Sequence, residues 1–267
     1  MQCPRAFHPI VLMLVGALAL SACATNKGKK DQSYVARDVE TLYIVAKETL
    51  TKRQYKLAAA QFDEVERQHP YSVWARRAQL MSAYSYYVAG SFNEAISSSQ
   101  RFLSLHPGSR EAPYAYYMIA ISYYEQISGV QRDQKITQQA LDSLGELIRR
   151  YPNSSYAADA RLKVDLARDH LAGKEMEIGR FYQNQGLYLA AVTRFRTAVE
   201  QYDTTSHTPE ALHRLVECYL ALGIPEEARK AAAVLGSNYP GSIWYARSFA
   251  LIGKKAVGGT AAPVTGR

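Results

Sequence analysis

A short phrase recurs along this chain. "QHPYSVW" begins at Gln68, "LHPGSRE" at Leu105, "RYPNSSY" at Arg150 and "NYPGSIW" at Asn238. Each carries His or Tyr, then Pro, one free residue, and Ser. A site of chemistry needs its residues once, whereas a phrase repeated at intervals sets an architecture of stacked similar units. Alanines put the units in register. Ala58, Ala95, Ala140 and Ala228 stand 12 residues before Pro70, Pro107, Pro152 and Pro240. Ala191 stands the same 12 residues before Asp203, which marks a fifth unit whose Pro is replaced.

Each unit reads as two helices. Apolar residues recur at helical spacing, and strand signals are scarce. A turn precedes each Ala: "GSFNEA" from Gly90, "GLYLAA" from Gly186, "GIPEEA" from Gly223, and "RQYKLA" from Arg53 with Arg in the Gly position. Glycine suits a helix end, where φ is often positive. An aromatic follows two residues later as Tyr55, Phe92 or Tyr188. Further upstream a small residue is followed three later by Tyr: Ala83 and Tyr86, Ala120 and Tyr123, Gly179 and Tyr182, and more loosely Val216 and Tyr219. The small residue lets two helices approach and the Tyr fills the adjacent space. The phrase itself then stops one helix and starts the next. Pro cannot continue a helix and drives the preceding residue out of the α region. Ser72, Ser109, Ser154 and Ser242 are placed to cap the following helix.

Helix A, a Gly turn, helix B and a Pro resemble the tetratricopeptide repeat of about 34 residues. The fold expected is all-α, a right-handed solenoid of about five tetratricopeptide-like helical hairpins. The repeats span 33–70, 72–107, 109–152, 154–203 and 205–240, followed by a C-terminal helix over 242–252. The third is lengthened by an insertion, "GVQRDQKITQQA" from Gly129, and the fourth by one long A helix over Ser155 to Gln185 that can bend near Gly173. Residues 253–267 lack a helical pattern and are expected to be a disordered tail.

The N-terminus reads as an export signal. Arg5 precedes the apolar run "IVLMLVGALAL", whose 11 residues fall short of the length that spans a bilayer. "LSAC", Leu20 to Cys23, follows and resembles a bacterial lipobox. Residues 1–22 are then a lipoprotein signal peptide and 23–32 a lipidated N-terminus and linker. Cys23 would carry a diacylglycerol on sulfur and an acyl chain on its amine, and several chains anchor stably where one does not. Ala24 after the Cys points to the outer membrane. The formal charge is +8, and losing Arg5 leaves +7. Export disfavours nucleic acid as the partner of that charge. Lys27, Lys29 and Lys30 sit where anionic lipid would meet them. Once Cys3 is removed and Cys23 lipidated, only Cys218 remains, in a helical apolar pattern that makes it a buried, inert thiol.

No HExxH, CxxC, GxSxG or phosphate-binding glycine loop is present, and no cofactor or metal is expected. His69 and His106 fill the slot before Pro that Tyr fills elsewhere. Such arrays bind peptides along the A helices. The A-helix side chains placed toward that groove are Tyr43 and Lys47, then Arg77, Leu80, Tyr84 and Tyr87, then Tyr114, Tyr117, Ile121 and Tyr124. Tyr offers contact area and a hydroxyl at low entropic cost, and the cations can receive a carboxylate. Repeats four and five present Arg180, Gln183, Glu210, His213 and Glu217, a more polar face suited to a second partner.

The lipobox, the short polar linker and five repeats together resemble the BamD family, lipoproteins of the outer-membrane β-barrel assembly machinery. The likeness covers about residues 33–252. Its more specific segments are "RRYPNSSYAADA" from Arg149 and "SGVQRDQKITQQA" from Ser128. It implies an outer-membrane location, lipid-anchored at the periplasmic face. The implied partners are the POTRA region of BamA, bound through the C-terminal repeats, other Bam lipoproteins, and unfolded barrel proteins recognised by the N-terminal repeats. Asp203 with "TTSHTPE" departs from the expected Pro junction and bears on the BamA surface. The competing reading is another tetratricopeptide lipoprotein adaptor, for a secretin or a cell-wall enzyme.

Overall fold

The computed structural model describes residues 38–258. The expected signal segment, Cys23, the expected linker and residues 259–267 lie outside them. The described residues form eleven α-helices and no strand. Five hairpins pair α1 (Val39–Thr51) with α2 (Tyr55–Gln68), α3 (Val73–Val88) with α4 (Phe92–Leu105), α5 (Ala112–Tyr124) with α6 (Lys135–Arg150), α7 (Ser155–Asn184) with α8 (Tyr188–Gln201), and α9 (Thr208–Ala221) with α10 (Pro225–Asn238). A last helix, α11 (Ile243–Gly258), closes the stack against α9 and α10. Each helix packs on the next, giving a solenoid of tetratricopeptide-like hairpins. The first helix of one hairpin also touches the first helix of the next: α1 on α3, α3 on α5, α5 on α7, and α9 on α11. The second helices make no comparable contact with one another, so the first helices line the inside of the curve.

The register alanines, Ala58, Ala95, Ala140, Ala191 and Ala228, all have no exposed surface. Beside them Phe62, Phe102, Leu144 and Phe195 fill the space within successive hairpins, each fully buried. Gly179 shows why a small residue is needed on the partner helix. A Cβ there would lie 2.5 Å from the Phe195 ring. Gly173 likewise faces His207 and Val130, where a Cβ would meet them at 3.2 and 3.4 Å. It is a point of close approach inside a continuous 30-residue helix. Cys218 is buried, and burial pushes its thiol up to about 12.

The hairpin turns share one geometry. Gly90, Gly186 and Gly223 have φ near +73°, and Arg53 takes the same conformation at +61°. The residue after each donates to the carbonyl five back, as in Gln54 to Thr49 and Ser91 to Tyr86. Between hairpins the recurring phrase makes another fixed turn. His69, His106, Tyr151 and Tyr239 leave the helical region with φ between −137° and −133°. The Ser three residues on donates its N–H back to that residue's carbonyl in all four. Ser72 and Ser154 cap as expected, accepting from Ala75 and Ala157 at 3.0 and 3.1 Å, and Ser242 accepts from Trp244 at 3.1 Å. Ser109 does not cap α5. That helix starts later, at Ala112 with Pro113 in its first turn, and Ser109 bonds the Glu111 side chain and N–H instead.

The Asp203 junction differs in sequence but not in backbone. Tyr202 has φ −128°, and Thr205 donates its N–H to Tyr202 as the serines do. Hydroxyls stabilise this turn. Thr205 and Thr208 donate to the Tyr202 carbonyl at 2.8 and 3.1 Å. Ser206 donates N–H and hydroxyl to Asp169 of α7 at 2.9 and 2.7 Å. At the C-terminus, α11 runs past Ile252 to Gly258, into the stretch expected to be tail. Lys254, Lys255 and Ala256 favour helix, and one glycine at 253 costs only about 1 kcal/mol.

Candidate functional site

Two parts of the inner face draw together the residues singled out from the sequence. In the first three hairpins the tyrosines fasten one hairpin to the next. Tyr86 donates to Asp63 at 2.9 Å, Tyr87 to Glu125 at 3.3 Å and Tyr117 to Asp159 at 2.7 Å. Burial, then the carboxylate partners, push the phenols of Tyr86 and Tyr87 up to about 12. Tyr117 and Tyr114 are pushed up as well, chiefly by burial. Tyr43 is packed between Phe62 and Trp74, with ring centroids 5.4 and 4.9 Å away. Ile121 is buried at 5% exposure. Ile121 thus departs from the expected open groove, because a helix phase read one position off turns a side chain from solvent into the interior, while the tyrosines are only partly buried.

Lys47 and Arg77 are exposed, and the Arg77 guanidinium lies 5.6 Å over Trp74. Tyr84 is 38% exposed. Tyr124 is half-buried, with the Lys163 ammonium 5.1 Å over its ring. Leu80 and Tyr114 line a cleft of about 980 Å³ with Arg110, Pro113, Asn153 and Tyr156. This cleft crosses the beginnings of α5 and α7 and reaches α3. Tyr156 stacks near both Tyr114 and Tyr117, at 5.6 and 5.1 Å. Arg110 and Tyr156 were absent from the residues expected in the groove. Both lie within the repeated phrase or just after it, so the phrase brings side chains to the cleft as well as turning the chain.

The second part joins α7 and α9, and here all five expected residues meet in one network. Arg180 bonds Glu210 at 3.2 Å, and Gln183 donates to Glu217 at 2.8 Å. Arg214, adjacent to His213 and missed in the sequence reading, ties both carboxylates together at 3.2 and 2.9 Å. His213 is 3% exposed, with Nδ1 2.8 Å from the Ser248 hydroxyl of α11 and Nε2 3.4 Å from Glu217. Burial opposes the charge of Glu217, but the hydrogen bonds of His213 and Gln183 and the Arg214 charge hold its carboxyl at about 2. His213 therefore belongs to the α9–α11 contact, because the terminal helix covers what the repeat pattern leaves open. Among the described residues no cluster of His, Cys, Asp and Glu is arranged to hold a metal, and no helix is long and apolar enough to cross a membrane.

The sequence matches the YfiO family, described as outer membrane lipoprotein, over residues 35–235. It is 49% identical over 243 residues to the outer membrane protein assembly factor BamD of Caulobacter vibrioides, covering 91% of this chain and 79% of that one. Identity to the BamD of Rickettsia prowazekii is 44% over 240 residues, covering 90% and 94%. For Neisseria meningitidis serogroup A it is 33% over 245 residues, covering 87% and 92%.

Proposed function

This chain belongs to the YfiO, or BamD, family of outer membrane lipoproteins, and on that premise we propose that it is a scaffold for assembling outer-membrane β-barrel proteins. Like the relatives it matches, which are named assembly factors, it is not an enzyme. In this reading Cys23 carries the lipid that holds it at the periplasmic face of the outer membrane. The hairpins of α7 to α10 meet the POTRA region of BamA, with other Bam lipoproteins alongside. The cleft over α3, α5 and α7 receives the C-terminal segment of an unfolded barrel protein.

The observation that carries the substrate reading is the chemistry of that cleft. Leu80, Pro113, Tyr114 and Tyr156 offer an aromatic and apolar wall, and Arg110 offers a guanidinium beside it, while the one carboxylate of the lining, Glu111, is bonded by Ser109. An aromatic side chain next to a free carboxylate satisfies both. Photocrosslinking amino acids placed at Tyr84 and Arg110 should trap peptides copied from barrel C-termini. Trapping only from positions beside Glu210 and Glu217 would sink the assignment. Arg110→Glu should weaken such a peptide roughly tenfold or more, since a charge-assisted hydrogen bond is replaced by repulsion. For the partner, affinity purification from detergent-solubilised envelope should recover BamA. Recovery of a secretin without BamA would overturn the assembly reading.

A further inference from the structure

The terminal helix α11 lies beyond residues 35–235, the span of the family match. It builds with α9 an open cleft of about 320 Å³. One wall is Trp244, whose ring centroid lies 5.2 Å from that of His213. Two guanidiniums lie over this indole, Arg214 at 5.7 Å and Arg247 at 4.9 Å. Ala250 and Leu251 add apolar surface, and Lys254 completes the lining. The two cations from α11 differ from Arg214. Arg214 is held by Glu210 and Glu217, whereas neither Arg247 nor Lys254 has a carboxylate within ion-pair distance among the described residues.

Three cations thus face one carboxylate, Glu217, and that carboxylate is already matched by Arg214, Gln183 and His213. The cleft keeps two uncompensated positive charges on either side of an apolar patch. They are seven residues apart on one helix face, about 10 Å along the axis. Carboxylates three residues apart on a polyproline II segment, with three residues per turn, share a face and are separated by about 9 Å. The indole holds the Arg247 guanidinium before any ligand arrives, so less side-chain freedom is lost on binding.

We propose that the α9–α11 cleft docks an acidic peptide segment in polyproline II conformation, with two carboxylates three residues apart meeting Arg247 and Lys254 and the apolar side chains between them flanking that face against Trp244 and Leu251. This goes beyond the assembly reading and uses neither the substrate cleft nor the α7–α9 network as its binding charges.

The test uses the purified full chain. The sequence has two tryptophans, so Trp74→Phe leaves Trp244 as the sole indole reporter. The probe is a blocked hexapeptide, Gly-Asp-Leu-Phe-Asp-Gly, titrated beside its counterpart with Asn for both Asp residues. The acidic peptide should give a saturable change in Trp244 emission that weakens with salt, and the Asn peptide should bind at least tenfold more weakly. Arg247→Glu combined with Lys254→Glu should remove the response while the far-ultraviolet circular dichroism stays unchanged. Arg247→Lys should keep the charge and only part of the affinity. Equal binding of both peptides, or no saturable change at millimolar peptide, would overturn the proposal. So would anionic phosphatidylglycerol vesicles that displace the peptide and bind through the same two cations, which would make the site a lipid contact. Because the titration contains neither BamA nor envelope, its result stands whether or not BamA is the partner.

Discussion

At the scale of single residues, what could be read from the sequence was the absence of side chain. A Gly or Ala three positions before a Tyr states that something comes close, and Gly179 against Phe195 is the tightest case. Gly179→Ala should destabilise the fold by about 1–3 kcal/mol, the usual range for overpacking, read as a lower urea midpoint. Phe195→Leu in the same chain should recover part of that loss, because the added methyl then has room. Gly145, where an added Cβ would meet nothing within 4 Å, is the contrast. There Gly→Ala in mid-helix should stabilise by about 0.5–1 kcal/mol. The tyrosines were less legible. A hydroxyl finds its partner across the hairpin boundary, as Tyr117 finds Asp159, and no spacing within one unit announces that partner. One position of helix phase is about 100° of rotation, enough to move Ile121 from groove to interior.

At the scale of the helix and turn, the repeated phrase was legible because its chemistry is local. Proline and the residue before it restrict their own dihedrals, and a Ser two residues on can reach the next first turn. Ser72→Ala and Ser154→Ala should each cost about 1 kcal/mol, while Ser109→Ala should change stability by less than about 0.5 kcal/mol. Denaturant curves on the three variants compare a capping Ser with one that does not cap. The junction at Asp203 shows where sequence reading stopped. The same backbone turn forms without Pro, through hydroxyls of Thr205 and Thr208 and the Asp169 anchor on a helix 37 positions before Ser206. Local rules could flag the missing Pro but could not supply its substitute. Arg53 is the other irregular turn. Its positive φ costs an L residue about 1–2 kcal/mol, part of which glycine loses again to backbone entropy in the unfolded chain. Arg53→Gly should therefore raise the unfolding free energy by about 0.5–1 kcal/mol, and Gly223→Arg should lower it by a similar amount.

At the scale of the whole molecule, a solenoid is held by contacts between neighbours, so its stability is a chain of interfaces rather than one core. In this chain the interfaces differ in how they titrate. The early ones hold phenols donating to Asp63, Glu125 and Asp159, and the α7–α9 interface holds Glu217. Tyr86 and Tyr87 have folded-state values raised from 10.0 to about 12. A raised value means the neutral phenol is favoured in the folded chain, so its contribution is complete below pH 10 and is lost as pH rises toward 12. Glu217 has its value lowered from 4.5 to about 2. A lowered value means the carboxylate is favoured in the folded chain, so its contribution is complete above pH 4.5 and is lost as pH falls toward 2. Acid should therefore loosen the last hairpins, while alkali acts on the first hairpins through Tyr86 and Tyr87 and also on α9 through Cys218. Helical circular dichroism should fall between pH 10 and 12, and less so in Tyr86→Phe with Tyr87→Phe than in the parent. With Trp74→Phe in place, Trp244 stacks on His213 beside Glu217 and reports the other end. Its emission should change between pH 4.5 and 2, and Glu217→Gln should flatten that transition while leaving the alkaline one intact. A single transition of identical midpoint at both ends would mean the array unfolds as one block, and the interfaces would then not be separable units.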